Sequence, residues 1–340
     1  MIVSEAGQKD LPYGSEVSGG LLSACVVSLP LACYRLRFET HGGAEIRGYT
    51  GSAWRGALGF ALKKIACLAK PSCGDRCVQK HNCAYSYIFE TPPREGAGKM
   101  SKYKDVPRPY VLVPQESFDT RFPFRVSNYD LGLTLIGCAN DYLAYIVNAL
   151  DLAAQTGLSH GLGALKLVEV LQEQVPGGGV WERISSSDGA LTPFPPRTPA
   201  IAPLPEHARI EFVTPFWPSG ADRKLREPTA IDFTEVFSRV LRRISMLTYF
   251  HTDTPLEADF SGLTAKSREA KVIERKLRWE KCRHYSSRRK QTEDMSGWVG
   301  TLTLANDGLE AFWPYLWLGQ WTHVGEGAVK GLGRYELVTG

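Results

Sequence analysis

Seven histidines offer the readiest chemistry in the chain, at positions 41, 81, 160, 207, 251, 284 and 323. An imidazole gives and takes a proton near neutral pH, so it suits general acid–base work. Context thins the set. His81 lies inside a cysteine cluster, His160 opens a glycine turn, and His207 closes a proline-rich stretch. His251 follows a basic helical pattern, where a helix end accounts for it. Three remain. His41 is followed by Gly42-Gly43, which leave room for a backbone to pass. His284 sits within a basic strip. His323 opens HVGEGAVKGLGRYEL, a run with glycines at 325, 327, 331 and 333.

Thiols form the second chemical group. Cys67, Cys73, Cys77 and Cys83 fall within one short segment. Clustered thiols in a chain without a secretion signal favour metal over disulfides. Four thiolates close a tetrahedral zinc site that is structural and has no open position for catalysis. The spacing is looser than paired CxxC, and two alternatives stay open: free reduced cysteines in a loop, and an iron–sulfur cluster.

Charge points to a polyanion. The net charge of the 340 residues is +4, yet residues 266–291 alone hold eleven Lys and Arg against three Glu, a net of +8. Trp279, His284 and Tyr285 are interleaved with them. A basic strip on a body of opposite sign is the footprint of nucleic acid. The competing reading is a solvated helix face with pairs such as Glu274–Arg278 at i,i+4. No apolar run has the ~18 residues of a membrane span. The apolar stretch from Leu21 to Cys33 is broken by Ser28 and Pro30 and lacks a basic leader, so a cytoplasmic location is expected.

The elements that must position these residues come twice. Arg35–Thr40 (RLRFET) and Arg209–Thr214 (RIEFVT) both alternate as strands do. Each leads to a basic amphipathic helix, expected over 52–66 and 232–247, the second with Asp232 as N-cap. Leu133–Ile136 matches Leu302–Ala305, and Gly161–Gly163 matches Gly331–Gly333. A helical stretch (141–155 and 308–318) precedes each glycine pair, and a strand (165–170 and 334–338) follows it. The shared order is strand, helix, hairpin, helix, strand, the ferredoxin-like unit. The expected organisation is α+β with two tandem ferredoxin-like domains. Residues 1–20 form a flexible tail, and 21–173 the first domain, with 67–83 as a cysteine-rich insertion. Residues 174–208 form a proline-rich linker, and 209–340 the second domain.

Four stretches carry a family likeness. They are GSAWRGALG at 51–59, the cysteine insertion running into CAYSYIFE at 83–90, Trp279 through RHYSSR at 283–288, and HVGEGAVKGLGRYEL. In these the chain resembles the CRISPR-associated endoribonucleases of the RAMP superfamily, which cut precursor CRISPR RNA within its repeats. Arg289 stands where the likeness would place Gln. The resemblance implies a metal-independent reaction in which a 2′-hydroxyl attacks the adjacent phosphate, leaving a 2′,3′-cyclic phosphate. Such a step needs a base, an acid and a cation for the phosphorane. His41 is the first candidate, with Tyr49 to orient the hydroxyl and Arg47 to hold charge. His284 and His323 are the runners-up, and a histidine-free site of Arg and Tyr is a further alternative. RNA contacts are expected from Arg55, Lys276, Arg283, Arg288, Arg289 and Lys290, and from the glycine-rich end at Gly325, Gly327, Lys330, Gly331, Gly333 and Arg334. The implied partners are repeat RNA or its mature product, and other subunits of an effector complex, with no membrane. The competing function is a catalytically silent RNA-binding subunit. A nucleotide-binding enzyme fits poorly, because GxGxxxGxG is not GxGxxG and precedes a strand.

Overall fold

The computed structural model describes residues 27–68, 77, 80, 82–93, 106–118, 121–218, 227–286 and 291–339. The expected tail at 1–20, and Cys73, His81, Arg288, Arg289 and Lys290, lie outside these residues. The first domain runs β1 (Leu31–Ile46), α1 (Gly51–Ala66), β2 (Tyr110–Val113), β3 (Phe124–Ile136), α2 (Leu143–Thr156) and β4 (Leu165–Glu173). A short strand, β5 (Trp181–Arg183), joins the same sheet, in the order β2-β3-β1-β4-β5. Helix α1 forms because Trp54, Leu58, Ala61 and Leu62 recur at helical spacing and all are buried against the sheet. Burying each of the large ones contributes roughly 1.5–3 kcal/mol. Helix α2 packs beside it through Ile146, Val147, Leu150 and Ala154.

The second domain repeats the plan. It runs β6 (Ala208–Phe216), α3 (Phe233–His251), a short α4 (Phe260–Lys266) and β7 (Val272–Glu280). Next comes a two-stranded arm, β8 (Arg283–Ser286) and β9 (Gln291–Asp294). Then follow β10 (Gly297–Leu304), α5 (Trp313–Thr322) and β11 (Tyr335–Thr339). Its sheet order is β11-β6-β10-β7, and every pairing is antiparallel. Omitting β5, the two sheets have equivalent orders, so the chain is α+β with two tandem ferredoxin-like units. Asp232 caps α3 as its sequence indicates, its Oδ1 accepting the Glu235 N–H at 2.8 Å. Helix α5 starts at Trp313, later than the pattern suggested, with Pro314 in its first turn. Proline suits that place because the N–H it lacks would be unpaired anyway.

Two features tie the domains together. Strand β1 serves both cores. Ala32, Tyr34, Leu36 and Phe38 enter the first, whereas Leu31 and Cys33, with Val27 and Leu29 ahead of them, enter the second. That division is the period-two alternation of a strand buried on both faces. Residues 174–208 supply more than a spacer. Arg197 bridges to Leu31, and the indoles of Trp313 and Trp317 donate to the carbonyls of Ala202 and Ala200.

The basic strip is a strand and arm, not a helix face. Leu277 and Trp279 pack toward the second core, and Arg275 on the same face donates to the Ile231 carbonyl at 3.2 Å, while Glu274, Lys276 and Arg278 face the other way on the edge strand. Charges on an edge strand also discourage pairing with another chain.

Candidate functional site

His41 lies within β1 rather than after it. Register runs from Glu39 opposite Asn128 to Ala44 opposite Val126, so residues 40–43 oppose Ser127 alone. This wide bulge needs residues with positive φ, and Gly42 (79°) and Gly43 (88°) supply them. The Thr40 hydroxyl fastens it by donating to the Ser127 carbonyl at 2.9 Å. The strand then resumes and delivers Arg47, which is exposed and pairs with Glu45 at 3.2 Å. The Arg47 N–H donates to the carbonyl of His160, on the first domain's own glycine turn. Burial pushes the His160 imidazole below its usual pKa, with Glu116 opposing that shift.

Tyr49 is turned inward. Its ring packs on Phe118 at 4.6 Å, and its hydroxyl donates to the Lys330 carbonyl at 2.9 Å. Burial, then the Glu116 and Cys282 charges, raise the phenol well above its ordinary pKa, so it stays neutral. Glu116 was not visible as a site residue in the sequence, because a lone glutamate carries no pattern. It is buried and accepts the Thr50 N–H and hydroxyl, each at 2.6 Å, and the Tyr129 hydroxyl at 3.0 Å. A carboxylate so placed at the start of α1 favours the helix dipole.

The glycine-rich loop meets this junction from the other domain. Lys330 ends a 3₁₀ turn bracketed by Gly327 (φ 75°) and Gly331 (φ 87°). A side chain on Gly331 would strike the Tyr49 hydroxyl and approach the Leu112 carbonyl at 2.8 Å. Gly325 likewise faces the Trp217 carbonyl, and Gly333 the Val324 carbonyl. The groups that approach these glycines are therefore the protein's own. Thr214 clamps the loop, donating to the Gly331 carbonyl and accepting the Arg334 N–H, each at 2.8 Å.

The cations of the loop are engaged. Lys330 Nζ lies 2.6 Å from Glu293 on β9, both largely buried, and Arg334 lies 2.6 Å from Glu336. His323 is buried at the end of α5 with φ 56°, and its Nδ1 has no hydrogen-bond partner. Burial first, then the Arg334 and Arg243 charges, push its pKa down to about 3. It is neutral at physiological pH and sealed from substrate, which suits packing rather than proton transfer. Arg55 stacks over Phe89 at 4.6 Å instead of projecting outward. Lys276 stays exposed on β7, beside Glu274 at 2.9 Å. Arg283 and His284 stand on β8, opposite Asp294 and Glu293.

Residues 210–335 match the family model described as CRISPR-associated endoribonuclease Cas6. The second domain is thus similar to the Cas6 family over nearly its whole length. Residues 29–195 match an AF_1859-type N-terminal domain. Cas6 of Thermus thermophilus, solved as a product complex, superposes with a TM-score of 0.55 at 17% identity, over 91% of this chain and 100% of that one. A partial Cas6-RT-Cas1–Cas2 complex gives 0.55 at 15% identity, over 93% of this chain and 47% of its own. At such identities the likeness is one of fold, and it extends across both ferredoxin-like units. The family match itself covers the second domain. No curated protein matches it.

The domain that matches the Cas6 model thus carries the glycine-rich loop and the arm, while the first domain carries the candidates His41 and Arg47. Of the cysteines, Cys67 is buried at the C-cap of α1, and Cys83 Sγ lies 3.9 Å from the Ala66 carbonyl. The two ends of the cysteine segment therefore meet at the same helix end. Among the described residues no three Cys, His, Asp or Glu side chains converge as a metal site. A cleft of about 330 Å³ opens beside the glycine-rich loop, between Trp217, Glu326, Lys330 and the base of the arm.

Proposed function

We propose that the chain is a metal-independent endoribonuclease that cuts CRISPR precursor RNA within its repeat and yields the mature guide RNA. The nucleophile is internal to the substrate. A 2′-hydroxyl loses its proton to a base and attacks the adjacent phosphorus. The bond to the 5′ oxygen breaks, that oxygen takes up a proton, and a 2′,3′-cyclic phosphate and a 5′-hydroxyl result. His41 is the assigned base, and Arg47 the cation that steadies the phosphorane. Tyr49 holds the two domains together in this reading. Lys276 and the arm grip phosphates by charge.

One observation carries the reading. The domain matching the Cas6 endoribonucleases sets its glycine-rich loop, through the Lys330 carbonyl, against the β1–α1 junction that follows His41. The test is incubation with cognate repeat RNA in EDTA. Cleavage to a cyclic-phosphate end is expected, and His41→Ala abolishes it while leaving affinity nearly unchanged. Tight binding without cleavage would instead make the chain a silent RNA-binding subunit, and no binding at low salt would sink both.

The four cysteines are proposed as a structural zinc staple of the insertion, taking no part in cleavage. Support comes from Cys67 and Cys83 meeting at the end of α1. Metal analysis of the purified protein is expected to give one zinc per chain, on the order of the usual structural site; a metal-free protein would leave the thiols as free cysteines.

A further inference from the structure

We infer that the cleft beside the glycine-rich loop seats one unstacked nucleobase bearing an exocyclic amine. This rests on the RNA-processing reading above and adds a base-selective subsite to it. The cleft has a floor, a wall and a rim of different chemistry. Pro215, Met295 and Leu332 make an apolar floor, and Met295 and Leu332 are themselves buried. The wall is Trp217, steadied by Trp279 edge-on at 5.3 Å, which in turn meets Trp298 at 5.1 Å. Unpaired RNA bases are held by stacking on such aromatic faces.

The rim decides what enters. Glu326, Asp294 and Glu293 line the cleft, and among the described residues Lys330, already beside Glu293, is the one cation lining it. Carboxylates repel phosphate, so a nucleotide enters base first and leaves its backbone outside, toward the cations of the edge strand. A carboxylate accepts from an amine such as cytosine N4, a charge-assisted bond. Uracil has no such amine and offers carbonyls toward the acids instead. The Glu326 N–H donates to the Trp217 carbonyl at 2.9 Å, so the acid and the wall are set relative to one another by the backbone. At about 330 Å³ the space is at the small end of ligand sites, room for a single base but not a helix.

The seat also connects to the domain junction. Met295 and Leu332, which floor the cleft, pack on Tyr49 in one buried group. A base in the cleft would rest on side chains whose other side bears on the tyrosine that joins the domains.

The experiment uses the full chain and labelled single-stranded octamers of rC, rA and rU at fixed low salt. Expected are rC and rA binding roughly tenfold tighter than rU, the size of one good polar base contact. The Glu326→Gln/Asp294→Asn variant is expected to bring the ratio close to one without weakening rU. In the unaltered protein, an octamer carrying 5-bromocytosine is expected to photo-crosslink at Trp217, a readout that does not depend on any variant folding. Equal affinities for the three octamers, an unchanged ratio in the variant, or crosslinks confined to other sites would overturn the inference. If repeat RNA is cut yet no base preference is seen, only the base subsite falls. If neither octamers nor repeat RNA bind, the RNA-processing reading falls first.

Discussion

The Tyr49 hydroxyl donates to the Lys330 carbonyl at 2.9 Å, joining residues 281 positions apart. Lys330 also reaches Glu293 on β9 with its ammonium. One residue of the glycine-rich loop thereby connects the first domain, the second domain and the arm. The candidate catalytic strand and the candidate RNA-gripping arm are held in fixed relation through it.

Tyr49→Phe should lower stability by about 1 kcal/mol, the net worth of a hydrogen bond, and up to about 3 if the Lys330 carbonyl is left dry. Cleavage should stay within a few-fold of the unaltered protein. Urea denaturation and single-turnover cleavage, run side by side, check both. Lost cleavage with stability intact would return Tyr49 to the chemistry.

Gly331→Ala should cost about 3 kcal/mol or more. It combines a left-handed φ of 87° with a methyl driven into the Tyr49 hydroxyl and the Leu112 carbonyl. Gly56→Ala, at an open position on α1, is the control and should gain up to about 1 kcal/mol. Thermal or urea unfolding of the pair separates backbone need from mere loss of glycine.

His323 predicts a pH effect with a definite sign. Its folded pKa of about 3 lies below the ordinary 6.5. Between those values the unfolded chain takes up a proton that the folded chain refuses, so stability falls as pH drops through that window. This one group should cost roughly 2 kcal/mol between pH 6.5 and pH 5. His323→Asn, which has no imidazole to take up the proton, should flatten that part of the profile. An equally steep profile in the variant would place the proton uptake elsewhere.

Lys276→Ala should weaken RNA binding evenly across sequences and reduce the slope of log affinity against log salt by about 1. The residue is exposed on an edge strand, so folding should be unaffected. Binding titrations at several salt concentrations read the slope directly; an unchanged slope would mean no phosphate contact there.

The duplicated strand–helix order was legible because each unit repeats its own local pattern, down to the Asp232 cap. Other features needed tertiary information. The basic strip carries charges at both helical and strand spacing, and only pairing of Leu277 and Trp279 along β10 selects the strand. Gly42-Gly43 marked a break, but whether it ended β1 or bulged from it depends on β3 opposite. His323 read as the opening residue of the glycine-rich loop and a runner-up for the chemistry. Its burial follows from Val324 bonding back to Gly333, which folds the loop onto α5. Glu326 sat inside the glycine run yet had no sequence signal of its own, since its partner Trp217 is more than 100 residues away.

Strand β1 feeds two interiors, with Leu31 and Cys33 on one side and Tyr34 and Phe38 on the other. The two copies are thus alike in plan but are no longer separable units of inheritance. A chimaera that takes its first half from a relative, joined anywhere in the proline-rich stretch, would import foreign residues into the second half's interior. For recombination, the working seam therefore lies ahead of β1 and at its start: a chimaera would have to change Val27, Leu29, Leu31 and Cys33 in step with the second domain they help to fill.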